Sequence, residues 1–194
     1  MAVSDRRAEK FRRVLAFRQS DLTVVLENIH DPHNVSAILR SCDAVGVLRV
    51  ELLYTKEKFP RIGRKSSSSA NKWLDRRKHT SVEECYACLR REGFRIYATR
   101  LGESSRSLYD IDLHRPAALV FGNEHRGVSD EAASLADDNF HIPMVGMIQS
   151  LNVSVAAAVA LYEAHRQRLN GGKFGTPPLP GEERDRLFDD WVER

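Results

Sequence analysis

Residues 117–129 read Ala-Ala-Leu-Val-Phe-Gly-Asn-Glu-His-Arg-Gly-Val-Ser, and this stretch contains the unit from which the chain is built. Five apolar residues typical of a strand buried on both faces lead directly into a polar turn. Gly122 and Gly127 bracket that turn, where they allow a close backbone approach or a positive φ. Ser129 then begins a helix. The stretch predicts a strand, a ligand-facing turn and a helix in succession.

The same order of strand and helix recurs along the chain. Short apolar runs alternate with longer helical patterns. The predicted strands are 22–26, 50–53, 95–99, 117–121 and 140–142, and the helices between and after them are 33–45, 81–92, 129–136 and 151–169. This alternation predicts an α/β fold with a mostly parallel sheet and helices on both faces.

Two further helices are predicted at the ends of the chain. Residues 5–18 form a basic amphipathic pattern, and residues 182–192 form an acidic one after the breakers of residues 171–180. We therefore divide the chain into an N-terminal basic helix (1–19), a central domain (20–170), and a linker with an acidic helix (171–194). The opposite charges of the two terminal helices favour packing against each other.

Cysteine usage and hydropathy indicate the compartment. The first twenty residues lack the apolar stretch of a signal peptide, and the longest apolar run, 155–162, is far shorter than a membrane helix requires. The three cysteines cannot all pair, and Cys85 and Cys88 have no second pair with which to bind zinc, so we interpret them as packing residues. These features predict a cytoplasmic protein with no membrane segment and no metal site.

The net charge of +3 conceals basic clusters. Residues 56–79 contain nine Lys or Arg against two acidic residues. Such a cluster is typical of a surface that binds nucleic-acid phosphates. For any single charge, a solvated surface position is the alternative.

The segment 27–40 follows a predicted strand and opens a helix, which is where open α/β sheets bind ligands. Asn34 can cap that helix. Arg40 shares the helix with apolar residues, so we expect it to lie against packed surface. A guanidinium there requires an anion such as an RNA phosphate.

The segment 142–158, Ile-Pro-Met-Val-Gly-Met-Ile-Gln-Ser-Leu-Asn-Val-Ser-Val-Ala-Ala-Ala, joins an apolar loop to a helix with polar first turns. Helix N-terminal amides beside Ser150 and Asn152 suit a polar or anionic ligand group, and the Met and Ile side chains suit a flat ring such as adenine. An N-cap and close helix packing account for only part of this pattern. No Gly-x-Gly-x-x-Gly follows the first strand, so a Rossmann dinucleotide site is not predicted.

These three segments together resemble the three motifs of the SpoU branch of the SPOUT methyltransferases, over about residues 20–165. The resemblance implies that residues 20–170 are a catalytic domain whose C-terminal part is tied in a deep trefoil knot. It also implies a homodimer formed through that region. The short terminal helices resemble those of family members that methylate the ribose 2′-oxygen of guanosine-18 in the tRNA D-loop.

The resemblance implies specific site residues. The cofactor S-adenosylmethionine would be held by Thr99, Leu101, Gly122, Asn123, Ile142, Met144, Ser150 and Leu151. The residues around the reacting ribose would be Asn34, Arg40, Glu124, Ser150 and Asn152. Contacts to tRNA are expected from Arg12, Arg13, Arg18, Arg64, Lys65, Arg166 and Arg168.

The role of Arg40 has two interpretations. Proposals for the family make the arginine the base that takes the hydroxyl proton. Because the pKa of arginine is above about 12, gripping a phosphate and stabilising developing alkoxide charge is a less demanding role.

Two other functions stay open at this point. One is a ribosomal RNA ribose 2′-O-methyltransferase, against which the lack of a large N-terminal RNA-binding domain argues. The other is a non-catalytic RNA-binding protein on the same fold, against which the intact Asn34, Arg40, Glu124 and Asn152 argue.

Overall fold

A computed structural model describes residues 4–60, 70–174 and 179–194. Every predicted strand and helix is present, with ends shifted by a few residues. The helices are α1 (Asp5–Leu15), α2 (Pro32–Ala44), α3 (Val82–Arg91), α4 (Asp130–Leu135), α5 (Val153–Asn170) and α6 (Gly181–Glu193). The strands are β1 (Gln19–Glu27), β2 (Val47–Leu53), β3 (Asp75–His79), β4 (Arg95–Thr99), β5 (Arg106–Ser107), β6 (Ala117–Phe121) and β7 (Asp138–His141). Two 3₁₀ turns cover Ala70–Lys72 and Leu108–Asp110.

The seven strands form one sheet in the order β3-β2-β1-β6-β4-β7-β5, and all six neighbouring pairs are parallel. This arrangement confirms the predicted parallel α/β sheet. Since parallel strands point the same way, the segments after β1, β4, β6 and β7 all leave the sheet at one edge, which we call the carboxyl edge. The trefoil knot concerns how the chain threads through its own loops, and it stays a prediction.

Helices cover both faces of the sheet, as predicted. Val24 packs in the core cluster formed with α2 and α5, whereas the next residue, Val25, packs in the cluster formed with α3 and α4. Neighbouring residues of a strand point to opposite faces, so a strand buried on both sides has no polar alternation. No helix within the described parts of the chain is long and apolar enough to cross a membrane.

The terminal helices α1 and α6 pack against each other, as their charges led us to expect, but the contact is aromatic. The ring of Phe11 lies 5.7 Å from that of Trp191 in a T-shaped arrangement, and Trp73 joins them. The guanidinium of Arg12 lies over the ring of Phe188. Leu48 of β2 belongs to the same buried cluster, so both helices are anchored to the sheet.

Two arginines that we expected to contact RNA are instead part of the interior. Arg18 is fully buried, donates 2.7 Å to the carbonyl of Val47 and pairs with Asp43. Arg168 is also fully buried, and its Nη1 lies 2.6 Å from the carboxylate of Asp21. The prediction of RNA contacts was wrong for both, because a guanidinium enclosed by protein acceptors cannot reach a phosphate.

We predict that Arg168→Met lowers the free energy of unfolding by about 3 kcal/mol, because it removes one partner of a buried ion pair. The guanidinium also donates to the carbonyls of Leu113 and Arg115, which would lose their partner. Urea denaturation measures the change. Arg166→Met is the matched control: its side chain is exposed and, among the described residues, pairs only with Glu163. Glu163 keeps a donor in Gln167 (2.9 Å), so the variant should lose less than about 1 kcal/mol. Equal losses in the two variants would contradict the structural role of Arg168.

Candidate active site

A cavity of about 660 Å³ opens at the carboxyl edge of the sheet, beside the ends of β4, β6 and β7 and the start of α5. Its volume lies in the range of small-molecule sites. The cavity is lined by all eight residues expected to hold the cofactor: Thr99, Leu101, Gly122, Asn123, Ile142, Met144, Ser150 and Leu151. The structure thus brings together residues from four separate segments of the sequence.

The cavity has an apolar part and a polar part. Leu101, Met144 and Leu151 contribute apolar side chains, and Phe121 and Val128 add to them although they were not among the predicted residues. The polar part comes from side chains around the start of α5 and from the 122–127 turn. Such a combination suits a ligand with one flat apolar group and one charged or polar group.

The turn that follows β6 leaves no space for a side chain at its first residue. A Cβ on Gly122 would lie 2.2 Å from the backbone of Gly127, which itself has a φ of +68°. The side chain of Asn123 stabilises the turn by accepting hydrogen bonds from the N–H groups of His125 (3.0 Å) and Arg126 (3.3 Å). Both glycines are therefore required by the turn geometry, as the sequence indicated.

Three predicted ribose-site residues form one chain of hydrogen bonds. Asn152 caps α5 by accepting 2.9 Å from the N–H of Ser154, and its amide NH₂ donates 3.0 Å to the Asn34 side-chain oxygen. The NH₂ of Asn34 in turn donates 3.0 Å to Oε1 of Glu124. Because a carboxylate can only accept, the Asn34 amide must turn its NH₂ group towards Glu124 and its oxygen towards Asn152. Asn152 must then turn its own NH₂ group towards Asn34.

Glu124 is held as a carboxylate by several donors at once. The backbone N–H groups of His30 and Asp31 both donate to it at 3.1 Å, in addition to Asn34. Burial raises the pKa of the Glu124 carboxyl, but hydrogen bonds from the Asn34 side chain and from backbone N–H groups lower it more, so the pKa lies below the usual glutamate value. Glu124 is therefore ionised at neutral pH and fixes the start of α2 to the 122–127 turn.

Arg40 does not lie where we expected. It is exposed and does not line the cavity. It follows Asn34 by six residues, so it lies about 120° away around the axis of α2. Since Asn34 faces Glu124, Arg40 faces away from that contact. The expectation that it would lie against packed surface was wrong.

The other predicted residues are found in different settings. Ser150 is exposed and lines the cavity beside Asn152. Arg12, Arg13 and Arg166 are exposed, which leaves their predicted role in RNA binding a prediction. Arg64 and Lys65 lie outside the described residues.

Asn28 is a site residue that we did not predict from the sequence. Its buried side-chain oxygen accepts hydrogen bonds from three successive backbone N–H groups, those of Thr55 (3.0 Å), Lys56 (3.1 Å) and Glu57 (3.2 Å). Its carbonyl accepts 2.9 Å from the side chain of Asn123. Asn28 thereby fastens the loop after β2 to the turn that lines the cavity.

The backbone of Asn28 has a φ of +50°. Asparagine is enriched in this conformation among residues other than glycine. An asparagine directly after a buried strand was therefore a usable signal, but sequence alone did not indicate what its side chain would bind.

Comparison with known proteins gives concordant results. The model of the SpoU rRNA Methylase family matches residues 21–162. A relative from Thermus thermophilus, named tRNA (guanosine(18)-2′-O)-methyltransferase, is 46% identical over 98% of this chain and 98% of its own length.

Two solved structures are also similar. The TrmH/SpoU tRNA modifying enzyme of A. aeolicus has a TM-score of 0.91 and 39% identity, over 97% of this chain and 96% of that one. The SpoU methyltransferase AviRb of Streptomyces viridochromogenes, solved in complex with the cofactor AdoMet, has a TM-score of 0.68 and 30% identity, over 79% of this chain and 63% of that one.

We predict that Asn28→Gly lowers the free energy of unfolding by about 2 kcal/mol, because three backbone donors lose their acceptor while the positive φ stays permitted. Amide hydrogen exchange at residues 55–57 should become faster. Asn28→Asp is the control, since it keeps an acceptor for those N–H groups, and it should lose less than about 1 kcal/mol. If Asp were as destabilising as Gly, the acceptor role of Asn28 would be disproved.

Proposed function

We propose, given that this chain belongs to the SpoU rRNA Methylase family, that it transfers a methyl group from S-adenosylmethionine to the ribose 2′-oxygen of guanosine-18 in tRNA. The observation that carries the proposal is the similarity to the Thermus thermophilus enzyme of that name over 98% of both chains. That similarity extends over the terminal helices as well as the central domain. It therefore supports the tRNA substrate as well as the methyl-transfer chemistry.

The residues of the cavity fit S-adenosylmethionine. Leu101, Met144 and Leu151 offer apolar surface for the adenine ring. The 122–127 turn lines the cavity and can close tightly because Gly122 carries no side chain, so the N–H and C=O groups of the turn are available to bind polar parts of the ligand. When bound, the cofactor supplies an electrophilic methyl group on a positively charged sulfur.

The reaction forms a bond between the ribose 2′-oxygen and the methyl carbon while the bond from that carbon to sulfur breaks. The hydroxyl proton passes to solvent water at the same stage, because arginine is already protonated and the Glu124 carboxylate is a weak base. The protein contributes mainly by holding the hydroxyl in line with the methyl group. Asn152 and Ser150, at the junction of the cavity and α5, are placed to orient the ribose.

Glu124 is assigned a positioning role in this mechanism. Its carboxylate is occupied by Asn34 and by the two N–H groups of residues 30 and 31. A carboxylate with a lowered pKa and three donors is a weak base. Glu124 therefore orients Asn34 and, through it, Asn152.

The methylation assay is the direct test. Incubation with labelled S-adenosylmethionine and unmodified tRNA should place one 2′-O-methyl group on guanosine-18, located by mapping the modified nucleotide. Methylation of ribosomal RNA in its place would establish the ribosomal alternative. Calorimetry that detects no binding of S-adenosylmethionine would favour the non-catalytic RNA-binding alternative.

We also propose that the enzyme works as a homodimer formed through α5 and the loop before it. Val155, Tyr162 and Leu169 are spaced by seven residues, so they form one exposed apolar stripe along α5. In the preceding loop, Val145 and Met147 are fully exposed. An apolar surface of this extent is typical of a protein–protein interface.

The dimer also accounts for the position of Arg40. Within one chain, Arg40 lies on the outer side of α2 and does not line the cavity. We infer that it completes the ribose site of the partner, where it grips the phosphate beside the target nucleotide and stabilises charge on the attacking oxygen.

Mixed dimers test this arrangement. We expect Arg40→Ala to abolish single-turnover methyl transfer at saturating tRNA while S-adenosylmethionine affinity stays within about twofold, because Arg40 lies outside the cavity. Refolding the Arg40→Ala protein with an equal amount of Asn152→Ala protein should restore about a quarter of the wild-type rate. Half of the dimers are then mixed, and one of the two composite sites in each mixed dimer is intact. No recovery would show that Arg40 acts within its own chain.

The expected tRNA contacts of Arg12, Arg13 and Arg166 are retained in the proposal, because all three side chains are exposed. A cytoplasmic location is supported by the tRNA substrate and by the three free cysteines.

A further inference from the structure

The edge strand β3 has two faces with opposite electrostatic character. Its burial alternates: Arg76 and Lys78 are exposed, whereas Arg77 is half-buried and His79 is buried. In a strand, such alternate residues point to opposite faces of the sheet. The sequence indicated this segment only as part of a basic cluster.

The inner basic side chains of β3 are paired with carboxylates. Glu51 of the neighbouring strand is fully buried and accepts from Arg77 at 3.0 Å and from Arg49 at 2.9 Å. Its other partner is His79, at 2.7 Å. Arg77 also pairs with Glu92 at 2.7 Å. These positive charges are therefore used within the fold.

The outer cations of β3 lack such partners. Arg76 pairs in register with Val50, and Lys78 with Leu52, so both lie on the face of the sheet that α2 covers. Neither Arg76 nor Lys78 forms an ion pair with a carboxylate in residues 4–60, 70–174 or 179–194. Positive charge on this face is left uncompensated.

The loop after β2 carries two further cations. Lys56 and Lys58 are exposed, and within the described residues they too form no ion pair. The loop is joined to the end of β3 by a hydrogen bond of 3.1 Å from the N–H of Tyr54 to the carbonyl of His79. Lys56, Lys58 and Lys78 thus lie near the carboxyl edge, and Arg76 lies two residues before Lys78 on the same strand.

This loop has a fixed position relative to the cavity. Asn28 binds three of its N–H groups, as described above. Glu57 of the loop accepts 2.8 Å from Arg126, which lines the cavity. A ligand held by the loop is therefore held at a defined distance from the cavity.

We propose that Arg76, Lys78, Lys56 and Lys58 form a phosphate-binding surface, the β3-edge surface, that holds the backbone of the substrate RNA beside the active site. The inference rests on the proposed function and identifies where the RNA outside the target nucleotide is bound. Arg76 and Lys78 are two residues apart on a strand, about 7 Å, which is comparable with the spacing of successive phosphates along an RNA strand.

Protection of the sheet edge is the competing explanation for cations on β3. Edge strands often carry Lys or Arg to prevent pairing with the edge of another molecule. That explanation does not extend to Lys56 and Lys58, which lie outside the strand. Phosphate binding accounts for all four residues.

The salt dependence of tRNA binding tests the proposal. We expect Arg76→Ala/Lys78→Ala to weaken the Kd for unmodified tRNA roughly tenfold at about 50 mM salt, measured by fluorescence anisotropy without cofactor. The slope of log Kd against log salt should become shallower by about 1.5, because two phosphate contacts are lost. The kcat at saturating tRNA should stay unchanged, since neither residue lines the cavity.

Two control variants separate phosphate binding from other effects. Arg76→Lys/Lys78→Arg keeps both charges on the same strand and should bind tRNA like the wild type. Arg184→Ala/Arg186→Ala removes two cations from helix α6, where acidic residues outnumber basic ones, and should leave the slope unchanged. A loss in this variant equal to that of the β3 variant would overturn the proposal, because it would show only an effect of net charge.

Unchanged affinity and slope in the β3 variant would also overturn the proposal. Light scattering that shows aggregation of the β3 variant, together with an unchanged slope of log Kd against log salt, would overturn it too. That outcome would assign Arg76 and Lys78 to protection of the sheet edge. Methyl incorporation by the wild type is measured separately. Wild-type protein that binds tRNA through these residues but methylates none of it would refute the proposed function and support the surface.

Discussion

The hydrogen-bonded amide of Asn34 is the contact on which the geometry of the site depends. It joins the start of α2 to Glu124 in the turn after β6 and to Asn152 at the start of α5. These segments are about 90 and 118 residues away in sequence. Because Glu124 is ionised and Asn152 must accept from its own helix, Asn34 has one satisfied orientation. The side chain of Asn34 thus joins all three segments, and the N–H groups of residues 30 and 31 add a second link to Glu124.

The charged residues divide into those that stabilise the interior and those that face solvent, and composition does not separate the two groups. Arg18 and Arg168 are enclosed, with carbonyl and carboxylate acceptors around each guanidinium. Glu51 is equally buried, and it contacts two arginines and one histidine. A buried ion pair is costly to break but adds little net stability, so its main effect is to specify one arrangement of the elements. Arg76 and Lys78, one residue either side of Arg77, belong to the other group.

The alternation of apolar runs was sufficient for the order of the helices and of five strands, whereas the residues of the cavity came from the resemblance to the SpoU motifs. Strands buried on both faces are continuous apolar runs, and parallel strands place the segments that follow them at one edge. The strand β3 was missed because Asp-Arg-Arg-Lys-His has no apolar run, and an edge strand needs none. The prediction that Arg40 lies against packed surface was wrong, because its burial depends on which side of α2 is covered by other elements. The partners of Asn28 lie about 27 residues away in sequence, which no local pattern reports.

The two halves of the proposed reaction are supported by different parts of the assembly. The cavity is built within one chain, from segments whose backbone is fixed by Gly122, Asn123 and the cap of α5. Its geometry needs no second copy. The proposed ribose site, by contrast, is incomplete within one chain. Arg40 lies on the outer surface of α2, and α5 leaves an apolar stripe uncovered. In the proposed dimer, cofactor binding depends on the fold of one chain, whereas methyl transfer also needs Arg40 of the partner subunit.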